Sequence, residues 1–250
     1  MITKMLGLPP GASEHAGEID FFLEVVHWFM LILFVFWLSL FLYCLFRFRA
    51  KAHPLPSYQG LTSGWPKWVE AMVVGVDALL LVAFAFPLWA NRAGSGSFPR
   101  ASEAVRVRAV AQQFSWLFHY PGPDGKFGRT SPFLIDATNP VGLDKTDPDG
   151  ADDVVSFNEL HLPVGKPVIL EITAKDVIHN FDVIEMRIQQ DAIPGTTIPI
   201  WFKPVREGNY EIACGQLCGA GHTFMRATLK VESETSFDNW MQGLEKLKGS

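Results

Sequence analysis

The chain has 250 residues, 48% of them hydrophobic, 13% aromatic and 19% charged, with a formal net charge of -5. That balance excludes a disordered chain and a strongly nucleic-acid-binding one. The mean hydropathy of +0.16 is high for a soluble enzyme, and most of the apolar excess lies before Trp89. Membrane helices followed by a globular domain are therefore expected.

From Val25 to Phe46 there is no Asp, Glu, Lys or Arg, and the run is rich in Leu, Phe and Trp. It is long enough to cross a bilayer core as a helix. It begins after Glu14, Glu18, Asp20 and Glu24 and is too long for a signal h-region, so it reads as a retained anchor. A second apolar run, Ala71 to Ala90, carries one charge, Asp77, and a proline, Pro87, and is also of spanning length. Between the runs stand Arg47, Arg49, Lys51 and Lys67 against a single acid, Glu70, which places the connection in the cytoplasm and both chain ends outside. Asp77 is costly in lipid and implies a partner subunit. The expected organisation is an external segment over 1–20, a transmembrane hairpin over 21–92, an external domain over 100–232 and a C-terminal helix over 233–250.

The stretch Asn91-Arg92-Ala93-Gly94-Ser95-Gly96-Ser97 reads as a flexible linker by composition. Beyond it, alternation in Val105 to Arg108, Val168 to Thr173, Ile198 to Phe202, Tyr210 to Ala213 and Ala227 to Val231 predicts short strands of a sandwich or barrel. In Gln113 to Tyr120 the aromatics Phe114, Trp116, Phe118 and Tyr120 alternate with Gln113, Ser115, Leu117 and His119, so one strand face is wholly aromatic. The segment Pro121 to Asn158 is long for a loop and carries seven Asp. Its Asp144, Asp147, Asp149, Asp152 and Asp153 could steer a basic partner, or bind calcium through Asp147-Pro148-Asp149-Gly150, although the spacing is not that of an EF-hand; the usual reading is a solvated turn. Phe237, Trp240, Met241, Leu244 and Leu247, with Glu245 and Lys246, predict an amphipathic C-terminal helix.

The informative line is Cys214-Gly215-Gln216-Leu217-Cys218-Gly219-Ala220-Gly221-His222-Thr223-Phe224-Met225, which brings two thiols, an imidazole and a thioether into one short segment. Soft sulfur donors with imidazole favour copper or zinc over magnesium or calcium, and a thioether points to copper. The glycines make a regular helix costly, so the donors should project from a tight loop. His179 follows the strand Val168 to Thr173 and could approach that loop if two sheets pack face to face. One copper of the blue type needs a single thiolate; two bridging thiolates with one imidazole for each metal would hold two copper ions, a centre suited to electron transfer. A Cys214–Cys218 disulfide and a structural zinc site with His179 and His222 stay open, the second leaving Met225 unexplained. Cys44, the third cysteine, reads as a small apolar side chain of the first span, and His161 and His27 have no companion at ligand spacing.

The sequence resembles subunit II of the cytochrome c oxidases in the haem-copper superfamily. The resemblance rests on two N-terminal spans, an exported β domain, the histidine of Asp176-Val177-Ile178-His179-Asn180-Phe181, the run Asp191-Ala192-Ile193-Pro194-Gly195, and the C-x3-C-x3-H-x2-M loop. It covers Phe21 to Val231 and is weak through Pro121 to Asn158. It implies a cupredoxin-like Greek-key β-sandwich and a dinuclear copper centre, CuA, with Cys214, Cys218, His179, His222, Met225 and the backbone carbonyl of Gln216 as ligands. It further implies that the chain takes single electrons outside the membrane and passes them to haem in subunit I, where oxygen is reduced with proton pumping. The partners so implied are subunit I, subunit III, and cytochrome c or a cytochrome-containing quinol-oxidising complex as donor. Rival readings are the CuA subunit of a nitric oxide reductase and a membrane-tethered copper- or zinc-binding protein.

Three positions qualify the resemblance. The family usually has Glu between the cysteines, helping to hold magnesium at the contact with subunit I, where this chain has Gln216. The aromatic strand usually begins with an exposed Trp that receives electrons from cytochrome c, where this chain has Phe114, with Trp116 next along the strand. Glu70, just before the second span, falls where some members have a carboxylate through which protons enter; its plain alternative is a solvated helix-start carboxylate.

Overall fold

The structure is a computed structural model that describes residues 2–55, 58–59, 63–94 and 96–248, with side chains described through Leu244. Ser95 of the expected linker, and the side chains of Glu245, Lys246 and Leu247, lie outside the described residues. By contacts the chain forms two units, one of residues 1–7 and 18–91, the other of residues 8–17 and 92–250.

The first unit is helical. A short α1 (Ile2–Met5) precedes α2 (Ala16–Arg47), which begins well before the uncharged run that predicts it. The second span is α3 (Trp65–Leu80), a π-helical turn at Leu81–Ala85, and α4 (Phe86–Ala93). Pro87 explains the turn: it has no N–H to donate and its ring crowds the carbonyl one turn back, so the helix widens, with Phe86 N–H reaching Leu81 O. Phe22 and Phe84 stack at 6.2 Å between the two spans. Both spans are long and apolar enough to cross a membrane, and their apolar side chains face outward.

The second unit is a β-sandwich. Its strands are β1 (Val105–Gln112), β2 (Ser115–Tyr120), β3 (Val154–Phe157), β4 (Glu159–Pro163), β5 (Val168–Ala174), β6 (His179–Val183), β7 (Ile188–Ala192), β8 (Ile198–Phe202), β9 (Gly208–Cys214) and β10 (Arg226–Glu232). One sheet has the order β3-β2-β1-β5-β8 and the other β4-β10-β9-β6-β7, so the chain passes repeatedly between sheets in the manner of a Greek key. The β1–β5 and β4–β10 pairs are parallel and the others antiparallel. Trp116, Phe118, Tyr120, Leu170, Phe181 and Ile212 are among the side chains that fill the space between the sheets. The C-terminal α5 (Glu234–Lys248) closes one edge, where Trp240 stacks on His161 at 3.9 Å and meets the Tyr120 ring at 5.3 Å. His161 is thus a buried, bonded histidine, its Nδ1 lying 2.6 Å from Glu232 Oε1.

Two regions depart from the sequence reading. The aromatic strand starts at Ser115, not Gln113, and all six residues of β2 are buried on both faces. The outer face is covered because Val141 and Leu143 of the long acidic segment pack on Val110 and Leu117 of the sheet. The same segment buries Asp153 against His119, Nε2 to Oδ2 2.6 Å, so Asp153 has no access to an approaching donor. The second departure is at the N-terminus. Residues 8–17 belong to the β unit, with Ala12 N bonding Glu185 O at 2.7 Å and Val205 N bonding Ala12 O at 2.8 Å.

Candidate metal centre

The metal-donor loop is held by the strands that flank it. β9 ends at Cys214 and β10 begins at Arg226, and Cys214 N donates to Met225 O at 3.2 Å to close the base. Within the loop a short 3-10 turn, His222–Phe224, is fixed by His222 N to Gly219 O at 3.1 Å and Met225 N to His222 O at 3.1 Å. His179 arrives by pairing within one sheet. β6 lies beside β9 with Phe181 opposite Cys214, and Gly215 N donates to Asn180 O at 3.0 Å. The expected approach across face-to-face sheets is therefore corrected: adjacent strands of one sheet bring the imidazole to the thiols.

The donor atoms converge. Cys214 Sγ and Cys218 Sγ are 3.9 Å apart, far beyond a disulfide bond of about 2.05 Å, and both cysteines are free. His179 Nδ1 lies 3.9 Å from Cys214 Sγ, and His222 Nδ1 lies 3.6 Å from Cys218 Sγ. Met225 Sδ is 3.8 Å from Cys218 Sγ, and the Gln216 carbonyl is 3.2 Å from Cys214 Sγ. Ligand atoms of His179, Cys214 and Cys218 all lie within 4.8 Å of one another. Each sulfur thus has one imidazole nitrogen beside it and one weaker donor, a thioether or a carbonyl. The set fits a soft metal, and it fits copper better than zinc because the thioether is buried among the donors rather than packed elsewhere.

Burial first, and then the neighbouring Cys214, push the Cys218 thiol up to about 11. A thiol in that condition stays protonated until a metal ion displaces the proton, so metal binding here is coupled to proton release. Asp176 Oδ1 accepts from His179 Nε2 at 2.8 Å, which leaves Nδ1 as the lone-pair nitrogen facing Cys214.

The other sequence candidates are placed as follows. The Gln216 side chain is exposed while its carbonyl faces the site. Phe114 lies in the turn between β1 and β2, 37% exposed, with its ring against Gly219 and Gly221 of the donor loop. Trp116 has no exposed surface; its ring meets Phe181 edge-on at 5.4 Å and lies 6.3 Å from the His179 ring, so it can make no contact with a donor protein. Glu70 is exposed near the start of α3 in the helical unit. Sequence reasoning did not single out Gln113 or Asp176. The available signal was an Asp three residues before a ligand histidine, a spacing that lets a turn bring the two side chains together.

The family profile described as cytochrome c oxidase subunit II, periplasmic domain, matches residues 105–232. The alternative cytochrome c oxidase subunit 2 of Bradyrhizobium diazoefficiens is 34% identical over 227 residues, covering 90% of this chain and 80% of that protein. The cytochrome c oxidase subunit 2 of Cereibacter sphaeroides is 28% identical over 256 residues, covering 94% and 79%. A solved periplasmic domain of cytochrome oxidase subunit II from Bradyrhizobium japonicum is 29% identical with a TM-score of 0.44, covering 59% of this chain and 96% of that one.

Proposed function

We propose a function from one premise: this chain belongs to the cytochrome c oxidase subunit II family, and is a membrane-anchored subunit of an oxidoreductase complex. In this reading it is the electron-accepting subunit of a terminal oxidase. The observation that carries the reading is the pair of sulfurs 3.9 Å apart, each with its own imidazole Nδ1.

Cys214, Cys218, His179, His222, Met225 and the Gln216 carbonyl would hold two copper ions. Bound there, the pair supplies one-electron transfer with little change of geometry, since both metals share the charge. The protein's own part is to fix the donors before the metal arrives. Cys214 and Cys218 are 8% and 5% exposed and His179 is fully buried, so water has little access to the site. Phe114, half-covered over the donor loop, is the surface group through which an external donor would make contact, and Trp116 is an interior ring behind His179. Cytochrome c or a cytochrome-containing complex serves as donor, subunit I as acceptor, and the β unit faces the outside of the membrane, following the cations between the spans. Glu70 is assigned as a carboxylate through which protons enter.

The test is metal analysis of the full chain in detergent with electron paramagnetic resonance of its oxidised form. Two coppers per chain, no zinc, and a hyperfine pattern of one electron shared by both metals are expected. A single zinc, or a Cys214–Cys218 disulfide in the assembled protein, overturns the reading.

A further inference from the structure

Gln113 touches both segments that carry the metal donors, and it does so from the opposite sheet. It follows β1, which belongs with β2 to the β3-β2-β1-β5-β8 sheet, whereas His179 and Cys214 lie on strands of the other. Gln113 N donates to Asp176 Oδ2 at 2.7 Å, and the second oxygen of that carboxylate, Oδ1, holds His179 Nε2 at 2.8 Å. Its side-chain Nε2 donates to the Cys218 carbonyl at 2.7 Å. One residue therefore binds, through one carboxylate, the histidine beside one sulfur and, directly, the backbone of the other sulfur.

The donor loop is shaped to admit this contact. Gly219 has φ +141°, a conformation that L side chains rarely adopt, and a Cβ there would come within 2.8 Å of Gln113 Nε2. At Gly221 a Cβ would run into the Phe114 ring. The glycines that keep the loop from being helical are thus also the seats of the β1–β2 turn. Gln113 is otherwise exposed, and its side chain fills no core space. A side chain that fills no core and makes its bond to the loop of the metal donors has its effect on that loop.

We infer that Gln113 is a positioning residue whose side-chain amide ties the Cys218 loop to the opposite sheet, next to the backbone bond by which the same position holds Asp176 and through it His179, so that the sulfurs and imidazoles stand at metal-binding separation before metal enters. This rests on the copper reading above. Groups that orient ligands from outside the coordination sphere typically change metal affinity by about 10- to 100-fold when removed, which sets the size of the expected effect.

The experiment is a copper titration of the full chain in detergent against a competing chelator, with the paramagnetic resonance spectrum and midpoint potential of the loaded protein and thermal unfolding of the metal-free form. Gln113→Ala removes the side-chain amide and leaves the backbone bond to Asp176 in place, and Gln113→Glu keeps the length while setting a carboxylate oxygen against the Cys218 carbonyl. Ser115→Ala is the matched control, since Ser115 Oγ accepts from Gln112 Nε2 at 3.0 Å in the same turn without reaching the donor loop. Both Gln113 variants should bind copper about 10-fold or more weakly, with an altered spectrum or potential and little change in metal-free unfolding, and Ser115→Ala should titrate like the wild type. Equal affinities with unchanged spectra in the Gln113 variants overturn the inference while leaving the copper reading intact. Lost stability with unchanged affinity of the folded protein also overturns it, because a purely structural residue would behave that way. A wild-type chain that takes up no copper overturns both.

Discussion

The segment from Cys214 to Met225 closes around sulfur, whereas the segment from Pro121 to Asp153 closes around carboxylates. In the first, few backbone bonds are needed because the flanking strands β9 and β10 fix both ends, and the side chains are left free to point at one place. In the second, the aspartates bind the loop's own backbone. Asp136 accepts from Thr138 N and Asn139 N at 2.7 and 2.8 Å, Asp144 from Thr146 N at 2.9 Å, Asp147 from Arg129 N at 2.8 Å, and Asp153 from Gly128 N at 2.8 Å. Asn139 adds bonds to the Leu134 and Leu143 carbonyls and accepts from Leu143 N. Such local bonds are an alternative to a regular ladder. A run of Asp that reads as solvated charge is here a set of acceptors that lets a long loop cover a sheet face.

If the two loops are specialised in this way, each can be broken without the other. Cys218→Ser should give the largest effect: loss of the two-copper spectrum and of the thermal stabilisation that metal brings, with the metal-free chain unfolding nearly as before, checked by resonance spectra and by melting with and without copper. Asp153→Ala should do the reverse. It leaves His119 buried without its partner and Gly128 N–H without its acceptor, and a buried polar group left unsatisfied costs roughly 1 to 3 kcal/mol, so the β unit should melt earlier while the copper spectrum of the remaining folded protein is unchanged. A copper spectrum altered by Asp153→Ala would show that the coat and the metal loop act as one unit, and the comparison would fail.

The spans were legible because length and the absence of charge are properties of sequence alone. The copper donors were legible because few side chains supply soft sulfur, and three of them, Cys214, Cys218 and Met225, stand with His222 within one short segment. Strands β3, β4, β6 and β7 were not read. In β6 the reason is chemical: His179, Asn180 and Asp182 break the apolar alternation, and Asn180 is buried with its amide nitrogen donating to Asp191 Oδ1 at 2.6 Å on β7. The covered outer face of β2 and the docking of residues 8–17 on the β unit depend on segments distant in sequence, as does the Gln113 brace. Periodicity carries no signal for such contacts. The position of Trp116 illustrates the limit, because an alternating aromatic face is the same string whether or not a loop buries the other side.

The smallest expected effect is also the most local. The Asp136 carboxyl is held below its ordinary value, near 3.8, mainly by its bond from the Thr138 side chain; Asp144 is lowered mainly by the Thr146 side chain, and Asp147 by the bond from Arg129 N. A carboxylate whose value is lower in the folded state than in the unfolded one contributes stability that is complete above the unfolded value and is lost as pH falls through the folded one. The loop bonds should therefore be intact from neutral pH through the ordinary carboxylate range, about 4, and be lost as pH falls further, through the lowered folded values. Hydrogen exchange of the metal-free chain, corrected for intrinsic rates, checks this. The amides of Arg129, Thr138, Asn139 and Thr146 should lose protection as pH drops below that point, while those of Phe224 and Met225, bonded to the carbonyls of Gly221 and His222, should keep theirs. Protection of the four loop amides that is unchanged down to pH 2, or that is already lost near pH 6, would mean that the carboxylates are not what holds the coat in place.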